Sequence, residues 1–284
     1  MTPAEFDARR AALHIALACG VLALPTLGAL AVDARQLSGV SVWAKPLKFQ
    51  VSLALHWATV ALLLSLLDPA RQGLPLVRWA LRIGAFATLV ELLYIVLQAA
   101  RGRASHFNND TWLEAFLYTA LMGTGALLIV ATTAAVGVAL WRHPRERPNA
   151  DRRDSLWLGA VLGLLGGSIA TLLVAVPLSS GVIAGPGPWV GGVPGNGAGL
   201  PLLGWSTTGG DLRVPHFVAT HLVQALPLAG WLMARGAAAG HWPTRRARAG
   251  VWAAAALGFG LVALTMAQAV SGQPLLALGD GPAS

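Results

Sequence analysis

Residues Val77 to Ala99 read VRWALRIGAFATLVELLYIVLQA. Past Arg82 this run holds a single charge, Glu91, and it is long enough for a helix to cross about 30 Å of hydrocarbon. A rod of this kind decides the fold, because inside lipid only helices and closed barrels satisfy their own backbone hydrogen bonds. Six more such runs occupy Ala11 to Val32, Pro46 to Leu67, Thr111 to Leu140, Ser155 to Leu178, Pro215 to Ala234 and Gly250 to Ser271. The expectation is an all-α polytopic transmembrane helix bundle of seven spans, forming one domain over residues 1–284.

Composition agrees with that reading. The chain is 55% hydrophobic and only 11% charged, which excludes a soluble enzyme and a classical DNA-binding domain. Its net charge of +8 comes from Lys and Arg placed between apolar runs, where they set topology, so no nucleic-acid partner is expected. Cys19 is the single cysteine, which leaves His, carboxylates and Tyr as the groups for any metal or cofactor chemistry.

With a cytoplasmic N-terminus, fourteen arginines fall on the inner side, and only Arg35, Lys45, Lys48, Arg101, Arg103 and Arg213 fall outside. The positive-inside rule then places the N-terminus in and the C-terminus out. Arg9 and Arg10 before an apolar run ending Ala29-Leu30-Ala31 also fit a signal peptide, which would leave six spans; the length of the run favours a retained helix. The stretch 179–214 is rich in Gly and Pro and carries Trp189 and Trp205, so it is expected to act as an extracytoplasmic lid. Gly159, Gly163, Gly166 and Gly167 make a small-residue face for helix packing.

Ionisable groups inside a span cost several kcal/mol unless they face the bundle interior. In the third span Glu91, Tyr94, Gln98 and Arg101 share one face, a polar stripe from mid-membrane to the outer surface. Beyond it lie Arg103, His106, Asn108 and Asp110, and then Thr111 with Glu114 three residues on, a capping box that assigns Glu114 a structural role. The sixth span opens with Asp211, Arg213 and Pro215 and brings in His216, Thr220, His221 and Gln224, with a kink expected at Pro227. The pattern Arg-x-x-His-Phe occurs at Arg103 to Phe107 and again at Arg213 to Phe217, a weak sign of a distant repeat. Lys45 and Lys48 sit at a helix start on the less basic side, where the macrodipole is already positive, so an anionic partner is expected there. His56 reads as a hydrogen-bonded core residue.

The blocks Lys45-Pro-Leu-Lys-Phe49, Gln98 to Asn108 and Gly204 to Phe217 resemble those of an uncharacterised family of bacterial multi-pass membrane proteins, over roughly Trp43 to Gly230. The resemblance implies the bacterial inner membrane and no particular activity. Members tend to carry a His in the stretch that here reads Gly187-Pro-Trp-Val-Gly191, and its absence argues against a metal site built from the long loop.

Three functions are compatible with these residues. In a cytochrome-like or haem-handling protein, His106 and either His216 or His221 supply the axial imidazoles of haem b from different helices. Lys45, Lys48, Arg101, Arg103 and Arg213 then bind the anionic groups of the cofactor, the Glu91, Tyr94, Gln98 stripe moves protons or holds a quinone, and Asp211 and Gln224 are further candidate catalytic residues. In a transporter or receptor the same cations hold an anionic solute or lipid headgroup on the outer side, and no metal is needed. In a zinc hydrolase three histidines and a carboxylate hold a metal-bound water, although a spacing of five between His216 and His221 is poor for one helical face.

Overall fold

The computed structural model describes residues 6–37, 39–145, 154–183, 187–191, 199–200 and 203–277. Among the described residues seven helices are long and apolar enough to cross a membrane: α1 (Ala8–Val32), α2 (Ala44–Leu64), α3 (Pro75–Ala100), α4 (Trp112–Arg142), α5 (Ser155–Ser180), α6 (Arg213–Ala238) and α7 (Thr244–Val270). Their starts follow capping chemistry. Asp7 accepts from the Arg10 amide at 2.9 Å, Thr111 from Glu114 at 3.2 Å and Asp154 from Trp157 at 2.9 Å, while Pro75 opens α3 where a missing N–H is no loss.

The helices run close to the apolar segments, with two instructive departures. α2 ends at Leu64 although the apolar run continues to Leu67, because Leu66 and Leu67 turn inward and Leu67 bridges to Pro144 on the inner connection. α7 starts at Thr244, six residues before the apolar run at Gly250, because Arg245, Arg246, Ala247 and Arg248 are good helix formers whatever their polarity. α6 is helical straight through Pro227. Short π-helical turns interrupt α4 at Leu117–Met122 and α5 at Leu162–Gly166.

α1 packs on α2, α3 on α4, and α6 between α5 and α7. Close approach rests on glycine where backbones meet. A Cβ on Gly159 would collide with the Leu226 carbonyl, one on Gly163 would lie 2.9 Å from that of Leu222, and one on Gly230 would strike that of Ser155. The small-residue face of α5 is therefore the α6 contact, with Gly230 answering it from the other side. Buried Trp57 and Trp157 tie the inner half together, donating to the Thr88 hydroxyl at 3.0 Å and the Leu140 carbonyl at 3.1 Å. Leu17, Leu24, Phe86 and Leu173 point outward, as contact with lipid tails requires.

Two short antiparallel ribbons sit at the outer ends of helices. β1 (Gln36–Leu37) and β2 (Val40–Ser41) link α1 to α2, with Gln36 opposite Ser41. β3 (Trp189–Val190) and β4 (Gly210–Asp211) pair Trp189 with Asp211 within the long loop. Gly210 sits so close to the end of α7 that a Cβ there would overlap the Ala269 carbonyl, so this part of the loop is docked on the bundle.

Candidate functional site

The outer ends of α2, α3, α4 and α6 bring most of the expected residues together, and the charges pair in a way the capping pattern did not suggest. Glu114, in the first turn of α4, is 3% exposed. Its amide is capped by Thr111, but its carboxylate turns to α3: Gln98 Nε2 donates to it in a short bond, Arg101 lies at 3.0 Å and Arg103 at 3.4 Å. The reading of Glu114 as a cap alone is thus incomplete. The missed signal was two outer arginines that needed a counter-ion in a low-dielectric setting.

The polar stripe of α3 is real and continuous at its upper end. Gln98 Nε2 donates to Tyr94 Oη at 3.0 Å, and Gln98 Oε1 accepts from Arg101 at 2.9 Å. Below them Glu91 is buried against Gly125 of α4, and its Oε1 has no hydrogen-bond partner. Gln50 on α2 and Gln224 on α6 each keep a buried, unpartnered Oε1 as well.

Arg213 is engaged too. Its guanidinium meets Asp211 at 2.5 Å, donates to the Gly204 carbonyl at 2.7 Å and lies over the Trp189 ring at 5.6 Å. Asp211 also accepts from the amides of Ser206 and Arg213, at 2.9 and 3.0 Å, so its carboxylate is consumed in holding the loop to the start of α6. Arg35 pairs with Asp33 at 2.7 Å and donates to the Ala100 carbonyl at 2.9 Å, closing the end of α3. The Arg35 guanidinium, with the Trp43 indole beside it, holds the Asp33 carboxyl well below the usual carboxylate range.

Two outer cations are left. Among the described residues neither Lys45 nor Lys48 has a carboxylate partner or a hydrogen bond from its ammonium group, and Trp43, at the N-cap of α2, offers no side-chain cap. Lys45 and Lys48 lie within electrostatic reach of each other and of Arg213, and Lys45 also acts on His106. One face of the outer surface is therefore positive.

His106 sits in the connection between α3 and α4, between Phe49 at 5.4 Å and Tyr118 at 5.8 Å, with its Nδ1 3.1 Å from the Ser105 hydroxyl. Burial, then Lys45, then His216 push its pKa well below the ordinary histidine value, so the ring is neutral. The next residue, Phe107, has φ 54°, the only positive φ among the described non-glycine residues, and its ring lies tilted against that of Tyr118 at 5.4 Å. Asn108 holds this loop by donating to the Ala104 carbonyl at 2.9 Å and accepting from the Asp110 amide at 3.1 Å.

His216 faces the same region from the first turn of α6. His221 does not share its direction: Nδ1 donates to the Phe217 carbonyl at 2.8 Å and the ring lies 4.0 Å from that of Phe217, since five residues turn a helix through roughly 140°. The two Arg-x-x-His-Phe copies differ in conformation, one an irregular loop and the other helical. Among the described residues no group of three His, Cys, Asp or Glu is arranged to hold a metal ion. His56 bridges α2 to α4 through the Thr133 hydroxyl at 3.2 Å, below this site.

Of the stretch 179–214, expected to act as a lid, residues 184–186, 192–198 and 201–202 lie outside the described residues. The described parts place Trp189 on Arg213 and buried Trp205 edge-on to Phe217 at 5.3 Å. Compared with known families, curated proteins and solved structures, the chain matches no family model, no curated protein and no solved structure.

Proposed function

We propose that this chain is a transporter or receptor of the bacterial inner membrane that binds an anionic group at its outer face. Lys45, Lys48 and the open N-terminus of α2 provide the attraction, and Arg213, His106 and His216 flank it. One observation carries the reading: every outer arginine meets a carboxylate, Arg35 that of Asp33, Arg101 and Arg103 together that of Glu114, and Arg213 that of Asp211, whereas the two lysines meet none among the described residues. Two adjacent ammonium groups at the positive end of a helix repel one another, and an anion removes that cost. A phosphate or carboxylate of a solute or of a lipid headgroup satisfies the same donors.

The test uses the purified protein in neutral detergent, with inorganic phosphate, succinate or phosphatidylglycerol-doped micelles as probes. A ligand at a hundred times its Kd stabilises the folded state by about 2.7 kcal/mol, a readily measured rise in melting temperature. The rise should vanish in Lys45→Gln/Lys48→Gln and persist in Arg246→Gln, on the inner side. If the double variant responds like wild type to every probe, the lysines are not an anion site.

A second reading, binding of haem b, is favoured by the neutral His106 ring and by His216, which has no side-chain hydrogen bond among the described residues; the two come from different segments. The lysines would then meet the propionates. A Soret band in the purified protein that is lost in both His106→Gln and His216→Gln would support it, and its absence after haem addition would remove it.

A further inference from the structure

Glu91 lies midway along α3 and takes no part in the anion site. It is buried at 4% exposure, yet Oε1 finds no donor, and the carboxyl occupies space that exists because residue 125 is glycine: a Cβ there would stand 2.6 Å from Oε1. Ionisable groups on the surrounding helices are Lys45, Lys48 and His56 on α2, Glu114, Tyr118 and Arg142 on α4, and Arg9, Arg10, His14 and Cys19 on α1. None of them hydrogen-bonds or ion-pairs with Glu91 among the described residues. A bare carboxylate in such a place is strongly disfavoured relative to the neutral acid, because nothing replaces its hydration.

The polar groups that connect onward from it lead to the outer face. Below Glu91, Thr88 accepts from Trp57 and keeps its own O–H among the described residues, while Thr132 donates to the Ala80 carbonyl and Thr133 donates to the Ile129 carbonyl and meets His56. Above it, Tyr94 Oη accepts from Gln98 and keeps its own O–H free among the described residues. Gln98 in turn donates to Glu114, which meets the half-exposed Arg101 and Arg103. An unfilled acceptor one turn below an unspent donor is an arrangement that a bridging water completes.

We propose that Glu91 is a proton-binding site within the membrane that exchanges one proton with the outer face along the stripe lined by Tyr94, Gln98 and Glu114. The proton arrives from outer water, adds to a carboxylate oxygen of Glu91 to give the neutral acid, and leaves by the same way; no other bond changes. The site supplies the protonation change that an outward-facing binding protein needs to couple solute binding to a proton gradient.

Infrared spectra of the full chain in lipid nanodiscs test this directly. The wild type should show a carboxylic-acid C=O band at neutral pH that Glu91→Gln removes, with folding checked by thermal melting. Should that variant fail to fold, Glu91→Asp must move the band instead. On transfer to D₂O the band should shift, and Gln98→Leu should slow that shift by an order of magnitude. A band unaltered by both Glu91 substitutions overturns the site, and deuteration in Gln98→Leu at the wild-type rate overturns the route. Lys45→Gln/Lys48→Gln should leave the band unchanged, so failure here and failure of the anion reading are separate results.

Discussion

Glu114 shows how much one carboxylate can organise. Buried on one side and facing two half-exposed guanidinium groups on the other, it ties the end of α3 to the start of α4 and removes Arg101 and Arg103 from the pool of ligand-binding cations. Glu114→Gln keeps the shape but gives up charge-assisted hydrogen bonds; discounted for the exposure of the arginines, the loss should be about 1–2 kcal/mol of stability, read as a lower melting temperature. An unchanged melt would mean the pairs are solvent-screened and dispensable. His106 makes a second prediction at this scale. Its folded-state pKa lies below the ordinary value of 6.5, so the neutral ring contributes stability that is fully present above pH 6.5 and is lost as the pH falls toward the lowered value. Melting temperatures of the wild type should therefore drop between pH 7.5 and 5, and His106→Gln should drop less. Equal drops would place the acid sensitivity on other groups.

The elements meet through two different kinds of contact. α5 and α6 approach until glycine is required, with Gly159 under the Leu226 carbonyl and Gly230 under that of Ser155. A side chain at either position has nowhere to go, because the obstructing atoms are backbone. Gly159→Val should cost about 1–3 kcal/mol or prevent folding, whereas Gly20→Ala, at a position on α1 with open space around it, should be neutral. Comparable melting of the two variants would show that α5 and α6 can separate at little cost. α3 and α4 use Gly84 and Gly125 in the same way, but here the space is filled by Thr132 and Glu91, polar groups in place of backbone. Polar matter is thus concentrated between the helices that carry the outer site.

Over the whole molecule the outer face carries the ribbons, the docked part of the long loop and all the ion pairs around the site, while the inner face keeps arginines and short connections. That asymmetry predicts topology. In a Cys19→Ser background, Gln273→Cys should react with a membrane-impermeant maleimide added to intact cells, and Arg246→Cys only after lysis. The reverse pattern would invert the molecule and put the lysine site in the cytoplasm. The larger apolar cluster runs from α1 through α5 to Val223 of α6 and Val251 of α7, and the second joins α5, α6 and α7, so the apolar packing of the bundle is continuous.

Seven spans, their approximate ends and the polar stripe of α3 were legible along the chain, because bilayer thickness imposes a length on each apolar run and helical geometry puts Glu91, Tyr94 and Gln98 on one face. The glycine face of α5 was legible as packing for the same reason. Which charge answers which could not be read there. Arg101 and Glu114 are separated by an irregular loop, and a local pattern, the capping box, explained Glu114 well enough to hide its partners on α3. The partners of Asp211, namely Arg213 and the Ser206 amide, were likewise not legible along the chain. Charge pairing depends on distances between elements, which only the packed bundle sets, and it was that packing which singled out Lys45 and Lys48 from six outer cations.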